Sequence, residues 1–207
     1  LAIAESDNPE FKQISEYPLF DAFDNFKKAY NMEGGKMYQG PIDLTLVTLS
    51  GQVITKAVEA YQAQDYESAY KYFEKSLEIK EMPIFEGEID TAIIFNTAIA
   101  AQRVEDYENA VKYYKKAIEY GYGEGDTYSL LADCYKSMGK DEKYLETLKE
   151  GFEKYPGNQP LLGSIINYYL LEAEDTEEAF KYLKLAREGD PSNPQFYSAE
   201  AHLYDKM

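Results

Sequence analysis

A short pattern recurs along this chain and constrains its fold more than any other feature. Residues 64–77 and 105–118 align without gaps as QDYESAYKYFEKSL and EDYENAVKYYKKAI. Two further copies, GKDEKYLETLKEGF and EDTEEAFKYLKLA, occupy 139–152 and 174–186, so successive copies start 41, 34 and 35 residues apart. Repetition at such intervals predicts a stack of similar units, each packed against its neighbours.

Each copy follows a second helical segment, whose apolar residues recur at i, i+4 and i+7. This spacing places three side chains on one face of a helix, and the small middle residue lets a neighbouring helix approach closely. The predicted core sets are Val53, Ala57 and Ala60; Ile94, Ala98 and Ala101; Tyr128, Ala132 and Tyr135; Leu162, Ile166 and Tyr169; and Tyr197, Ala201 and Tyr204. Two helices per repeat predict an all-α fold.

The first 49 residues depart from this pattern. Residues 18–30, PLFDAFDNFKKAY, predict one amphipathic helix, and a Gly-rich link follows at 31–41. Three residues of this helix imitate the second helix of a repeat: Ala22, Phe26 and Ala29. We therefore predict a helical cap and linker at 1–49, and about four and a half repeats at 50–207.

Turn-forming residues predict the boundaries between repeats. We expect Gly121, Gly123 and Gly125 to end one helix pair and Asp126 to cap the next helix. The segments 156–158 and 190–194 predict later boundaries in the same way.

The third and fourth units resemble the tetratricopeptide repeat. The third unit has the following signature residues in register: Tyr128, Leu131, Ala132, Tyr135, Gly139, Leu148 and Pro156. The fourth unit has Ala179, Leu183, Ala186 and Pro191. Departures include Tyr144, which stands where alanine is usual, and the lack of tryptophan. The resemblance implies a right-handed α-α superhelical solenoid that binds another protein or a peptide. A broader similarity to bacterial envelope members favours a periplasmic or cell-envelope location over a cytoplasmic one.

In this family the first helices of successive units line a concave groove in which peptides dock. Carried over to this sequence, the groove residues are Tyr61, Phe95, Ile99, Gln102, Asp133, Lys136, Asn167 and His202. The groove is predicted to be apolar in the first two units, where Ile54 and Val58 join it, and polar afterwards. Chaperone-binding members grip a peptide carboxylate with lysine and asparagine, but only Asn167 fits here, so we do not expect that activity.

An exposed apolar groove is unusual, which predicts that something covers it. We expect the cover to be the N-terminal segment, through Phe11, Ile14, Tyr17, Leu19, Phe20, Phe23 and Phe26. The alternative is an apolar segment of a partner. If the chain covers the apolar part itself, the working groove is the polar part around Asp133, Lys136 and Asn167.

Charge and composition exclude several classes of partner. Asp and Glu number 38 against 21 Lys and Arg, and the resulting net charge of −17 repels nucleic-acid phosphates and anionic lipid headgroups. No stretch approaches the roughly 20 apolar residues that a membrane span needs. The single cysteine, Cys134, excludes an internal disulfide.

The residue types also argue against catalysis and against a cofactor. One histidine, His202, and one cysteine cannot form a usual zinc site, and we expect Cys134 to be a small buried side chain and not a reactive thiol. The segment 121–126, GYGEGD, lacks the spacing of a dinucleotide-binding loop. The acidic residues at 172–178 lack calcium-loop spacing and predict a solvated turn followed by a first helical turn. We therefore predict a non-enzymatic scaffold.

Two other functions remain open at this point. Repeat ends could stack chain to chain, which would make the protein a self-assembling structural element. The 21 tyrosines could instead bind a small ligand or a glycan, a function that needs a closed pocket.

Overall fold

The computed structural model describes residues 15–32 and 35–205, and the regular structure in these ranges is helical. The ten α-helices in them are α1 (Pro18–Asn31), α2 (Gln39–Gln62), α3 (Tyr66–Lys80), α4 (Thr91–Arg103), α5 (Tyr107–Glu119), α6 (Glu124–Ser137), α7 (Asp141–Lys154), α8 (Gln159–Leu171), α9 (Thr176–Gly189) and α10 (Pro194–Tyr204). Two 3₁₀ segments, Gly35–Tyr38 and Pro83–Phe85, lie between them. The predicted all-α fold and the predicted N-terminal helix are confirmed.

The chain forms two compact units: unit 1 is Leu1–Val104 and unit 2 is Glu105–Met207. The boundary predicted at 49/50 lies inside the continuous helix α2. The predicted cap-and-repeat division stays a prediction. The Gly-rich link ends earlier than expected, since Gln39 already belongs to α2. Within the described ranges, no helix combines the length and the hydrophobicity that spanning a bilayer requires.

Short turns join the two helices of each predicted repeat. The turn after the first helix is three or four residues long, and one residue in each adopts a left-handed backbone. These residues are Gln64 (φ 62°), Glu105 (φ 62°), Gly139 (φ 68°) and Glu174 (φ 51°). The residue that follows is the N-cap of the second helix, so the same backbone geometry starts α3, α5, α7 and α9.

Asp and Asn side chains begin most of these helices. In six cases the side-chain oxygen accepts a hydrogen bond from a backbone N–H of the first turn, which satisfies a donor that the helix leaves free. The caps are Asp65, Asp90, Asp106, Asn158, Asp175 and Asn193. Asn158 and Asn193 confirm the boundaries predicted at 156–158 and 190–194.

The cap predicted for α6 is wrong. Gly123, with φ of 76°, precedes the first residue of α6, and Asp126 lies inside the helix, where its carboxylate accepts a hydrogen bond from Asn158 Nδ2 at 2.7 Å. A left-handed glycine can reverse the chain without a side-chain cap, so the acidic residue is free for another role.

The core of unit 1 joins α1 to α2 and α3. Its first cluster contains Leu19, Phe23, Ile42, Leu46, Leu49, Val53, Ile79, Met82 and Phe85. Ala22, Phe26 and Ala29 pack against it as partly buried neighbours. The extra residues between the first two repeats also contribute, because Met82 and Phe85 are buried there.

Four of the five predicted core sets are confirmed, with only Ala60 among their members left partly exposed. The fifth set is wrong, since Tyr197, Ala201 and Tyr204 are exposed. Helix α10 instead buries Phe196 and Leu203. Each of the other first helices is followed by a second helix with which it pairs. No second helix follows α10 among the described residues.

Candidate binding groove

Helices α2, α3 and α4 share a second core cluster in unit 1, and α2 and α4 also carry apolar side chains that stay partly exposed beside it. The cluster contains Ala57, Ala69, Phe73, Ile93 and Ala100. The sets that remain partly open are Ile54 and Val58 on α2, and Phe95 and Ile99 on α4; we call these four residues the apolar face. Val58 is 39% exposed, and the other three are half-buried.

Helix α1 does not cover the apolar face. Its inward residues, Leu19 and Phe23, belong to the first core cluster. Its other aromatic residues pack on α3, where the ring of Tyr72 lies 4.9 Å from Phe20 and 5.6 Å from Tyr17. The predicted cover is therefore wrong for the described residues, because α1 pairs with the buried stripe of α2. The rest of that prediction, Phe11 and Ile14, lies outside the described residues.

Aromatic and polar side chains border the apolar face at the ends of α2 and α4. Tyr61 is half-buried, and its ring meets that of Tyr66 edge to face at 5.3 Å. The guanidinium of Arg103 lies 5.6 Å from the Tyr66 ring, beside the half-buried Gln102. These ends can donate and accept hydrogen bonds, whereas the middle of the face cannot.

A group of charged and aromatic side chains surrounds Lys136 in unit 2. Its ammonium pairs with the carboxylate of Glu172, approaches Asp141 Oδ1 at 3.8 Å and lies 4.9 Å from the ring centre of Tyr144. We call Lys136, Asp141, Tyr144 and Glu172 the polar cluster. The hydrogen bond to Glu172 raises the pKa of Lys136, so the ammonium stays charged throughout the physiological range.

Asp133 lies one turn before Lys136 on α6 and is exposed. The protein around it nevertheless raises the pKa of its carboxyl by desolvation. A nearby positive charge favours the ionised form of such a carboxyl. Asp133 is therefore suited to pair with a cation brought by a ligand.

Of the last two predicted groove residues, only Asn167 has a side chain that the structure describes. Asn167 is exposed on α8, where its neighbour Tyr168 lies 6.1 Å from the ring of Tyr144. His202 belongs to α10, but its side chain lies outside the described part of the chain.

Sequence reasoning missed three members of the polar cluster, and Asp141 was not singled out at all. Glu172 was assigned to a solvated turn, and Tyr144 was noted only as a departure at an alanine position. The signal that could have identified Tyr144 was an aromatic residue where alanine is usual, because a ring at this position lies beside the first helix of the same pair. No periodicity of α8 predicts that Glu172, which directly follows the helix, reaches Lys136.

Cys134 is fully buried, and burial raises the pKa of its thiol to about 12. The thiolate, which is the reactive form, is therefore suppressed at neutral pH. This observation agrees with the prediction of a small buried side chain.

The comparisons with known proteins agree with this helical arrangement. Residues 54–81 and 92–120 match the family model described as tetratricopeptide repeat. These two segments are similar to tetratricopeptide repeats. No curated protein matches the sequence.

Several solved structures of repeat proteins have a similar fold. A TPR repeats protein from Bacteroides fragilis is 24% identical, with 72% of this chain and 66% of that chain covered and a TM-score of 0.57. A tetratricopeptide repeat protein from Parabacteroides merdae is 16% identical, with 76% and 59% covered and a TM-score of 0.60. YrrB, described as a TPR protein with an unusual peptide-binding site, is 17% identical, with 74% and 75% covered and a TM-score of 0.50. This chain thus spans just under two thirds of the first protein and less of the second. At these identities the likeness is one of fold.

The raised pKa of Asp133 predicts a small gain in stability when its charge is removed. A carboxyl whose pKa is higher in the folded state favours folding while it is protonated and loses that contribution as the pH rises through the folded pKa. We expect Asp133→Asn to raise the free energy of unfolding at pH 7 and to have no such effect at pH 3, where both side chains are neutral. Urea unfolding at the two pH values measures this, and Asp205→Asn, on an exposed acid of the same unit, serves as the control. An equal effect of both substitutions would show that Asp133 is ordinarily hydrated.

Proposed function

We propose that this chain is a non-catalytic scaffold that binds a protein or peptide segment on the first helices of its repeats. The observation that carries the proposal is the apolar face of unit 1, which α1 leaves uncovered. An apolar surface that the described part of the chain leaves partly exposed gains free energy when a partner covers it. Proteins with this fold include one described as having a peptide-binding site, which agrees with the proposal.

Unit 2 offers a second, polar surface with a different role. The polar cluster places two carboxylates, those of Asp141 and Glu172, around Lys136, and Asp133 adds a third acid one turn earlier on α6, which leaves an excess of negative charge. Such a surface favours a partner with Lys or Arg side chains, and it contributes more to orientation and to the association rate than to affinity. The acidic composition of the chain acts in the same direction. A periplasmic or cell-envelope location stays a prediction.

Self-association is a second candidate, favoured by a cleft between α9 and α10. The cleft has a volume of about 570 Å³ and is lined by Phe180, Leu183, Lys184, Arg187, Glu188, Pro191 and Glu200. Tyr204 is 63% exposed, and its ring lies tilted at 5.0 Å from the ring of Phe180, which lines the cleft. A second copy would cover these apolar side chains.

Affinity capture tests the two candidates against each other. The chain is used as bait in a lysate of the source cell, as wild type and as the double variant Val58→Lys/Ile99→Lys, which places two charges on the apolar face. A matched control, Ile89→Lys/Tyr120→Lys, adds the same charge at exposed positions elsewhere. We expect one captured protein whose dissociation constant rises at least tenfold in the double variant and stays unchanged in the control, because a lysine on a covered apolar surface loses its hydration.

The outcome is read from mass spectrometry and from titration calorimetry with the captured protein. A third variant, Asp133→Ala/Lys136→Ala/Asn167→Ala, measures the contribution of the polar surface. Binding lost only in this variant would place the groove in unit 2 and contradict the apolar face. Capture of the chain alone, together with sedimentation that depends on concentration, would establish self-association instead.

A further inference from the structure

Helix α2 has an uncharged surface that extends well beyond the apolar face. Residues 44–55, LTLVTLSGQVIT, contain no charged side chain, although 29% of the chain is charged. Only part of this stretch is buried. Leu44 is 70% exposed and Val47 is 49% exposed. Both lie in the region that the sequence assigned to the cap and linker, so the groove residues inferred from the repeats do not include them.

The exposed apolar residues of α2 follow a regular spacing. Steps of three, four, three, four and three residues join Leu44, Val47, Gly51, Ile54, Val58 and Tyr61, which we call the α2 seam. This is the seven-residue period by which two helices pack lengthwise on each other. The seam runs for about 25 Å at 1.5 Å per residue. The buried stripe of α2, which includes Leu46, Leu49 and Val53, lies beside the seam. Ile54 and Tyr61 of the seam also pack against the second core cluster, whereas its other four residues are exposed.

The threonines on the exposed side of α2 do not need hydrogen bonds from a partner. Their hydroxyls donate to carbonyls of the same helix four residues earlier: Thr45 to Pro41 at 2.8 Å, Thr48 to Leu44 at 3.0 Å and Thr55 to Gly51 at 2.9 Å. A polar group that is already satisfied can be covered at little cost. These threonines can therefore be covered by a partner almost as easily as apolar side chains.

Gly51 forms a notch in the middle of the α2 seam. A Cβ atom added there would meet no other atom of the chain within 4 Å, and the residue is exposed. Glycine in the middle of a helix costs about 1 kcal/mol relative to alanine, so this one weakens α2 without serving its packing. A notch of this kind accepts a large side chain from an opposing helix.

Resting on the proposed function, we propose that the α2 seam docks the apolar stripe of an amphipathic helix from another protein, with basic side chains flanking that stripe. An apolar stripe of this length on a helix fits helix-to-helix packing, in which the partner lays its own apolar stripe along the seam. The net charge of −17 selects basic flanks, and the same charge opposes a second copy in this position. The described N-terminal residues are engaged elsewhere, since Tyr17 and Phe20 pack on α3.

A synthetic helix provides the probe. Its sequence consists of about three heptads with Leu at the two core positions and Lys at the flanking positions. A peptide of the same composition with the leucines scattered is the control for charge alone. Fluorescence anisotropy at 150 mM salt compares the two on the whole chain. We expect the helical peptide to bind at least tenfold more tightly than the scattered one.

Two variants identify the surface that holds the peptide. Gly51→Leu fills the notch while improving the intrinsic stability of α2, so lost binding cannot come from lost folding. Leu44→Gln/Val47→Thr removes exposed apolar groups outside the apolar face. We expect each to weaken the helical peptide at least tenfold, whereas Ile89→Gln, an exposed residue outside α2, leaves binding unchanged.

Several results would overturn the inference. Equal binding of both peptides would show that charge alone acts, and unchanged binding in Gly51→Leu and Leu44→Gln/Val47→Thr would place the peptide elsewhere. A tenfold gain on deletion of residues 1–14 would identify the chain's own N-terminus as the occupant, and a dimer that Leu44→Gln/Val47→Thr dissociates would identify a second copy. A captured protein that is lost with Val58→Lys/Ile99→Lys but retained with Leu44→Gln/Val47→Thr would leave the proposed function standing and remove this inference.

Discussion

Replacing Phe23 with alanine is expected to lower the free energy of unfolding of unit 1 by about 3–5 kcal/mol, the usual cost of removing a buried phenylalanine ring. The ring is fully buried in the first core cluster, between α1, α2 and α3. Its loss leaves a cavity that two helices border, and α1 has few other fully buried side chains with which to stay attached. Urea unfolding followed by circular dichroism gives the size of the effect, and hydrogen exchange of peptides from α1 and α2 locates it.

Phe26→Ala is the matched control for this prediction. Phe26 is on the same helix and packs on the same cluster, but it is only partly buried, so its truncation should cost less than half as much. If Phe23→Ala cost less than about 1 kcal/mol, α1 would be a loosely attached extension and not part of the core of unit 1.

Gly151→Ala is expected to lower the free energy of unfolding by about 2 kcal/mol, although alanine is the better helix former. Gly151 is buried in α7, and an added Cβ would lie 2.6 Å from Tyr128 Cβ and 3.0 Å from Leu161 Cδ1. Tyr128 cannot move aside easily, because its hydroxyl is held by Lys154 at 2.6 Å. Helices α6 and α7 would have to separate.

Gly163→Ala should change stability in the opposite direction. This glycine lies in α8 of the same unit, and an added Cβ there meets nothing within 4 Å. The substitution should raise the free energy of unfolding by about 0.5–1 kcal/mol through helix propensity alone. Thermal and urea unfolding of the two variants, measured side by side, separate the effect of the close contact at Gly151 from the effect of helix propensity. A stabilising Gly151→Ala would contradict the close approach of α6 and α7.

The sequence predicted the helices well because their signals are local. The repeat fixed the order of the helices, and the i, i+4 and i+7 sets identified the buried residues of four first helices. Asn158 and Asn193 begin helices where turn residues indicated boundaries. Asp126 failed as a cap, because Gly123 can take the left-handed backbone that starts α6 without help from a side chain.

The partner of an apolar stripe was much harder to predict than the stripe itself. The aromatic residues of α1 were correctly recognised as residues to be buried, but their spacing cannot say which face of α2 they meet. The structure places Leu19 and Phe23 against the buried stripe that includes Leu46, so α1 does not reach the apolar face in the described part of the chain. The apolar face is therefore uncovered by α1, contrary to expectation.

The candidate groove could be predicted only in part. Family register supplied Asp133 and Lys136, but not the carboxylate that pairs with Lys136, because Glu172 follows α8 at a distance of 36 residues in the sequence. Register also stopped at the first recognisable repeat, which hid Leu44 and Val47. The sequence signal for these two residues was a run of twelve uncharged residues. That run can be assigned to one helix only when α2 is known to continue through it.

The left-handed residue in each turn within a helix pair restricts where residues can be inserted into this chain. Those turns differ by only one residue in length, because the left-handed residue and the N-cap that follows it start the second helix. The connections between pairs have no such restriction, and the one that follows α3 already holds ten residues where the later ones hold four. An epitope or a fluorescent label is therefore best inserted at 86–89, which is exposed and belongs to this longer connection.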